Sequence, residues 1–213
     1  MKRFRFTLIA VCLVLLYLGG SDLLLWFNNQ SPQVLSISQL EESGAPQEWL
    51  DVKAGYMDLD RAISTSGSVE MEALLVPLVA HPDQERIRVM VETRDPDLLQ
   101  LFKDYHFFTD TIPEKQAFRQ KHAGTFKGQR EITGMLVAGL ITRGNQQKLL
   151  KLAKQTGLDI ADDVIFLSEG KVPGKWRGVF FTVVGLLGLV RVFTYTKQVA
   201  PPERVPSGEN TES

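Results

Sequence analysis

The chain has 213 residues, a net charge of −1 and a single cysteine, Cys12. One cysteine excludes a disulfide framework and any cysteine-based zinc ribbon or RING site, so a soluble core must rest on apolar burial alone. Much of the apolar content is concentrated in two segments, Phe6–Trp26 and Gly178–Tyr195, which bracket a stretch of ordinary globular composition. That arrangement is expected of a membrane protein holding one soluble domain by both ends.

At about 1.5 Å per helical residue, Phe6–Trp26 covers the ~30 Å hydrocarbon core. Trp26 and Phe27 close it with aromatics suited to the interface. The predicted organisation is a basic tail at 1–5, a transmembrane helix at 6–27 and a linker at 28–33. Lys2, Arg3, Arg5, the apolar run and Gly19-Gly20-Ser21 are also the parts of a signal peptide. The apolar run resumes at Leu23–Phe27, which favours an uncleaved anchor. Cys12 follows the bulky Val11 and is not a lipidation site. Asp22, one turn before Trp26, is placed in the interface.

Residues 34–172 read as mixed α+β. Residues 48–54 alternate polar and apolar, as a half-buried strand does. Residues 72–80 form an apolar run interrupted by Pro77, which predicts an edge or a bulge there. After a turn at 81–84, residues 86–93 alternate again, with Ile87, Val89 and Val91 on one face and Arg86, Arg88, Met90 and Glu92 on the other. Asp95 and Pro96 open a short helix as N-cap and first residue. A strand over 131–141 carries Gly134 and Gly139 for curvature, a helix is predicted over 146–156 behind Asn145, and a last short strand over 164–167. Five strands, a curved fourth and a helix before the last predict a small OB-like β-barrel with two or three short helices; an open α+β sandwich is the alternative.

Charge is unevenly placed. Between 41 and 72 the acids Glu41, Glu42, Glu48, Asp51, Asp58, Asp60, Glu70 and Glu72 face only Lys53 and Arg61. Between 115 and 130 lie Lys115, Arg119, Lys121, His122, Lys127 and Arg130, with no acid. Phe118 and Phe126 are interleaved. This stretch is a candidate patch for an anionic lipid headgroup or an acidic partner, or a solvated loop offsetting the acidic half.

The second transmembrane helix is predicted over 176–195, followed by a disordered tail at 196–213. Arg191 lies near its far end, where its side chain can snorkel. Gly178, Thr182 and Gly185 share one face and would let a partner helix approach closely: the first helix, through Ala10 or Gly19-Gly20, or another copy. Lys2, Arg3, Arg5, Arg191, Lys197 and Arg204 on the terminal side outweigh Lys171, Lys175 and Arg177 on the domain side. The positive-inside rule then places both termini in the cytoplasm and the domain on the outer, periplasmic face of an inner membrane. The two-span topology resembles that of certain mitochondrial ubiquitin ligases, but these end in a cysteine-rich RING that this chain lacks, so the resemblance implies no activity.

No catalytic, cofactor or metal motif emerges. His81, His106 and His122 are far apart, Asp58/Asp60 and Asp162/Asp163 match no calcium loop, and Ser64–Ser68 is not a nucleophile elbow. The expected function is therefore a membrane-anchored accessory or scaffold protein without cofactors. Its extracytoplasmic domain would bind membrane lipid, and its partner would be another membrane or envelope protein or a second copy through the second helix, with no nucleic acid. The alternative is an anchored envelope enzyme of hydrolase type whose residues converge only in three dimensions; a cleft gathering His106, His122 and acids would favour it, and a filled barrel the scaffold.

Overall fold

The computed structural model describes residues 2–64, 72–137, 151 and 157–198. Two compact units result: residues 28–173, and the described parts of 1–27 and 174–213. In chain order the elements are α1 (Lys2–Asn28), β1 (Gln33–Ser36), α2 (Ile37–Ser43), β2 (Trp49–Met57), β3 (Ile63–Ser64), β4 (Leu74–Val79) and β5 (Ile87–Thr93). They continue with α3 (Pro96–Phe107), α4 (Ile112–Lys121), α5 (Ala123–Phe126), β6 (Gln129–Leu136), β7 (Ile160–Glu169) and α6 (Lys175–Gln198). Both α1 and α6 contain stretches long and apolar enough to cross a membrane, Phe6–Asn28 and Lys175–Thr194.

The larger unit is built on a closed five-stranded barrel. β2 pairs with β6, β6 with β7, β7 with β5, β5 with β4, and β4 returns to β2. Every seam is antiparallel except β5–β7. These five are the strands predicted from the sequence. β1 and β3 are additions at the margins: β1 lies parallel against β2, and β3 antiparallel against β4. The segment predicted as a helix over 146–156, its capping residue Asn145 and Gly139 lie outside the described residues, save Lys151.

Closure depends on a bulge in β2. Val52 pairs with Ile132 but Gly55 pairs with Arg130, so β2 carries one residue more than β6 between these points. Ala54, inside the bulge, has φ 59, in the left-handed region that side chains other than glycine rarely adopt. The extra residue shifts the inward parity from Leu50 and Val52 to Gly55 and Met57, all four buried. It also redirects the strand: Leu50 and Val52 lie beside β1, whereas Tyr56 and Met57 pair with β4. A Cβ on Gly55 would lie 2.7 Å from Leu78 Cδ1, so a larger residue there would push against the buried Leu78 side chain.

Pro77 sits inside the barrel wall rather than at an edge. All of Leu74–Val79 is buried, and Pro77 pairs in register with Met90. Its carbonyl accepts the Asp58 N–H at 3.0 Å, on the side where β4 passes from β3 at Leu75 to β2 at Leu78. Within a strand the N–H and C=O of one residue point the same way, so the missing N–H falls in that gap between partners. The two faces of β5 also differ from the simple alternation. The register jumps from Ile87↔Ile160 to Val89↔Ile165. Ile87 therefore joins Met90, Leu75, Ile63, Ile160 and Phe166 in a second cluster, while Val89 and Val91 fill the main core. Met90, expected on the polar face, is fully buried.

The main core is continuous from the barrel to the helices around it. Leu50, Val52, Val76, Leu78, Val89, Val91, Ile132 and Leu167 meet Ile37 and Leu40 of α2, Leu98 and Phe102 of α3, and Phe126 of α5. α2 starts at a reciprocal capping box, with the Gln39 N–H on Ser36 Oγ at 3.2 Å and the Ser36 N–H on Gln39 Oε1 at 3.0 Å. α3 starts as predicted, with Asp95 capping the Asp97 N–H at 3.0 Å and Pro96 in the first turn. On β6, a Cβ at Gly134 would lie 2.3 Å from the Ser168 carbonyl oxygen.

Two substitutions test this architecture in the detergent-solubilised full chain, by thermal or denaturant unfolding. Ala54→Gly relieves the left-handed strain and is expected to stabilise by about 0.5–1 kcal/mol. Gly134→Ala meets backbone that cannot step aside and is expected to cost about 2 kcal/mol or more.

Candidate functional site

The basic stretch predicted as a patch is folded into two helices and the start of β6. α4 begins where Thr111 Oγ1 accepts the Glu114 N–H at 3.4 Å and Glu114 Oε2 accepts the Thr111 N–H at 3.1 Å. These hydrogen bonds to the carboxylate hold the Glu114 pKa below its ordinary value. The interleaved phenylalanines serve packing: Phe126 is buried in the main core, and Phe118 and Phe126 lie 6.1 and 5.1 Å from the Tyr105 ring. α4 ends at His122, whose N–H caps the Phe118 carbonyl and whose ring lies 4.6 Å from Phe118.

The six bases do not act as one positive field. Arg119 donates to Asp60, on the short turn after β2. Arg130 donates to Asp95 Oδ2 at 2.6 Å and lies 3.5 Å from Glu169. The two arginines are thus spent on acids distant in sequence. Lys115 has its Nζ 5.9 Å from the centre of the Tyr105 ring. Lys121 and Lys127 are exposed and His122 is half-buried. Of the six bases, Lys121 and Lys127 are thus exposed lysines of the stretch, apart from the two paired arginines.

The sequence reading missed the polar cluster around Arg130. Asp95 and Glu169 share that arginine, Glu92 Oε1 pairs with Arg94 at 3.1 Å, and Ser168 Oγ donates to Glu92 Oε2 at 3.2 Å. These residues come together because β5 and β7 run parallel and Glu92 pairs in register with Ser168. In the sequence Asp95 and Arg130 stand out only as a helix cap and a member of the basic stretch, and no local pattern marks their meeting with Glu169. The hydrogen bond from Arg130, opposed by burial, holds the Asp95 carboxyl below its usual range. The His106 imidazole, 4.2 Å from the Phe102 ring, is pushed down by burial and then by Lys115. Both His106 and His122 stack on phenylalanines, and among the described residues no group of three or more His, Cys, Asp or Glu is placed to hold a metal ion.

The helix-packing face predicted on the second apolar segment lies within the helical unit. A Cβ on Gly178 would approach Asp22 Cβ to 3.0 Å, one on Gly185 would approach Leu16 Cγ to 2.8 Å, and one on Gly188 would approach Cys12 Sγ to 2.4 Å. A Cβ on Gly19 would meet the backbone N of Thr182 at 2.6 Å. The seam therefore runs antiparallel along Cys12, Leu16, Gly19 and Leu23 of α1. Gly20, one of the expected contacts, has nothing within 4 Å of its would-be Cβ. Ala10 is exposed. Asp22 accepts a bidentate pair from Arg177, Nε at 2.7 Å and Nη2 at 2.8 Å. Lys175 Nζ lies 4.6 Å from the Trp26 ring.

Asp95→Asn keeps the helix cap but removes the charge facing Arg130. Because the folded-state pKa of Asp95 is lowered, its contribution is present above the ordinary aspartate pKa near 3.9 and is lost as the pH falls through the lower folded value. The substitution is expected to cost about 1 kcal/mol at pH 7 and nothing once both forms are protonated, read from unfolding curves across pH. Gly188→Cys brings a second thiol against Cys12. Mild oxidation is then expected to keep α1 and α6 linked on a non-reducing gel after the barrel is cut by protease, and reductant is expected to separate them.

Comparison with known protein families, curated proteins and solved structures returned no match. The functional reading therefore rests on the geometry of this chain.

Proposed function

We propose that the chain is a two-span membrane protein whose OB-type barrel is a non-enzymatic docking module on the outer face of the bilayer. The OB assignment is supported by the cyclic strand order: numbering the barrel strands one to five in chain order, they close as one, two, three, five, four. It is supported too by α3–α5, which lie between the third and fourth of these strands and supply Leu98, Phe102 and Phe126 to the core.

The observation that carries the docking reading is that the barrel is filled. Its inward positions are aliphatic side chains with little or no exposure, Arg130 is bound to Asp95, and His106 and His122 lie against phenylalanine rings. What is left for recognition is the exposed lysine set at the ends of α4 and α5, suited to an acidic partner in the envelope. Orientation with both termini in the cytoplasm is supported by Lys2, Arg3, Arg5, Arg191, Lys197 and Arg204 on the terminal side against Lys171, Lys175 and Arg177 on the domain side, where Arg177 is paired with Asp22.

Two measurements test the proposal. A membrane-impermeant maleimide should label Thr125→Cys in intact cells, in a Cys12→Ala background; labelling only after permeabilisation would reverse the orientation. Carboxyl-to-amine crosslinking in membranes should join the wild-type barrel to an acidic envelope protein, weaken as salt screens the contact, and fail in the Lys121→Glu/Lys127→Glu variant. Turnover of an envelope substrate that is abolished by changing His106 or His122 would favour an anchored enzyme instead.

A further inference from the structure

The turn between α3 and α4 exposes a compact apolar group. Phe108 is 75 % exposed, Ile112 74 % and Phe107 49 %. They sit beside the densest aromatic packing of the domain, yet contribute nothing to it: Phe102 and Phe126 go inward, while Phe107 ends α3 and Phe108 caps it. Folding does not need these side chains outside, and their exposure to water is unfavourable.

We propose that this turn dips into the headgroup–acyl boundary of the bilayer, as a third point of membrane contact beside the two helices; the inference rests on the two-span reading above. Three observations favour lipid over a protein partner. The group offers on the order of 400 Å² of apolar surface, about half of what each side of a stable protein interface buries. The same chain carries two stretches apolar enough to cross a membrane, and few residues link them to the sheet, 29–32 before β1 and 170–174 after β7. The turn is flanked by Lys103 on α3 and Lys115 on α4, neither in an ion pair among the described residues, and lysines at that depth can extend to phosphate headgroups. Phenylalanine and isoleucine backed by lysine are the composition of interfacial anchors. The Glu114 carboxylate is turned onto the backbone N–H groups of Asp110 and Thr111. Asp110 itself lies at the interface, where an acid costs little.

The test uses the full chain, with Cys12→Ala, in nanodiscs of mixed phosphatidylcholine and phosphatidylglycerol. Nitroxide labels are attached at Phe108→Cys and Ile112→Cys, at Asp83→Cys on an exposed turn of the barrel, and at Leu13→Cys and Leu187→Cys in the two apolar helices. The proposal expects oxygen to outcompete a nickel chelate severalfold more at 108 and 112 than at 83. If 108 and 112 match 83 while 13 and 187 report acyl-chain depth, the anchor is overturned and the two-span reading stands. If 13 and 187 are also aqueous, both fall. A Phe108→Asp change should return the label at 112 to aqueous values without moving those at 13 and 187; an unchanged depth at 112 would overturn the anchor as well.

Discussion

The bulge at Ala54–Gly55 is the constraint on which the barrel depends. A strand has two edges, yet β2 serves three neighbours: β6 along one edge, and β1 and then β4 along the other. It can do so only by bending between Val52 and Gly55, and the extra residue in the bulge supplies the bend. The same residue keeps Met57 inward after Val52, because without it the side-chain parity would place Met57 on the outside. Ala54 tolerates a left-handed φ and Gly55 accepts Leu78 against its backbone, both in service of this corner. Pro77 answers from the opposite strand, its missing donor placed where β4 changes partner.

Barrel closure then decides the electrostatics. Arg119 and Arg130 come from a stretch without acids, but the fold sets them against Asp60, Asp95 and Glu169. Partly exposed pairs of this kind contribute modestly to stability. They set two arginines of that stretch against acids, while Lys121 and Lys127 stay exposed. The filled interior and the stacked histidines belong to the same closed fold.

The helical unit follows a separate logic. Its two helices are joined by close backbone approach and a polar contact, the features that hold apolar helices together where lipid leaves little hydrophobic driving force. Gly19 against Thr182, Gly178 against Leu23, and Gly185 and Gly188 against Leu16 and Cys12 supply the approach. Asp22 and Arg177 supply the polar contact, and each accounts for a charge that is otherwise out of place in an apolar segment. Of the two partners expected for this face, the first helix or another copy, it is the first helix that packs on it.

What was legible from sequence was whatever depends on neighbours along the chain. The two apolar segments, the five barrel strands and the Asp95–Pro96 helix start follow from hydropathy, two-residue periodicity and capping chemistry, which act over a few residues. Even the spacing of Gly178, Thr182 and Gly185 on one face is a property of the helix itself. The sequence did not reveal α4 as a helix, because its surface is polar nearly all round and its apolar anchor, Phe118, is a single residue. Nor could it reveal the marginal strand β1, the burial of Met90, or the fate of Arg119, Arg130 and Asp22. Those were decided by tertiary structure alone, since a cross-strand register, a second apolar cluster or an ion pair spanning as many positions as Asp22 and Arg177 do exists only once the closed barrel and the paired helices bring distant residues together.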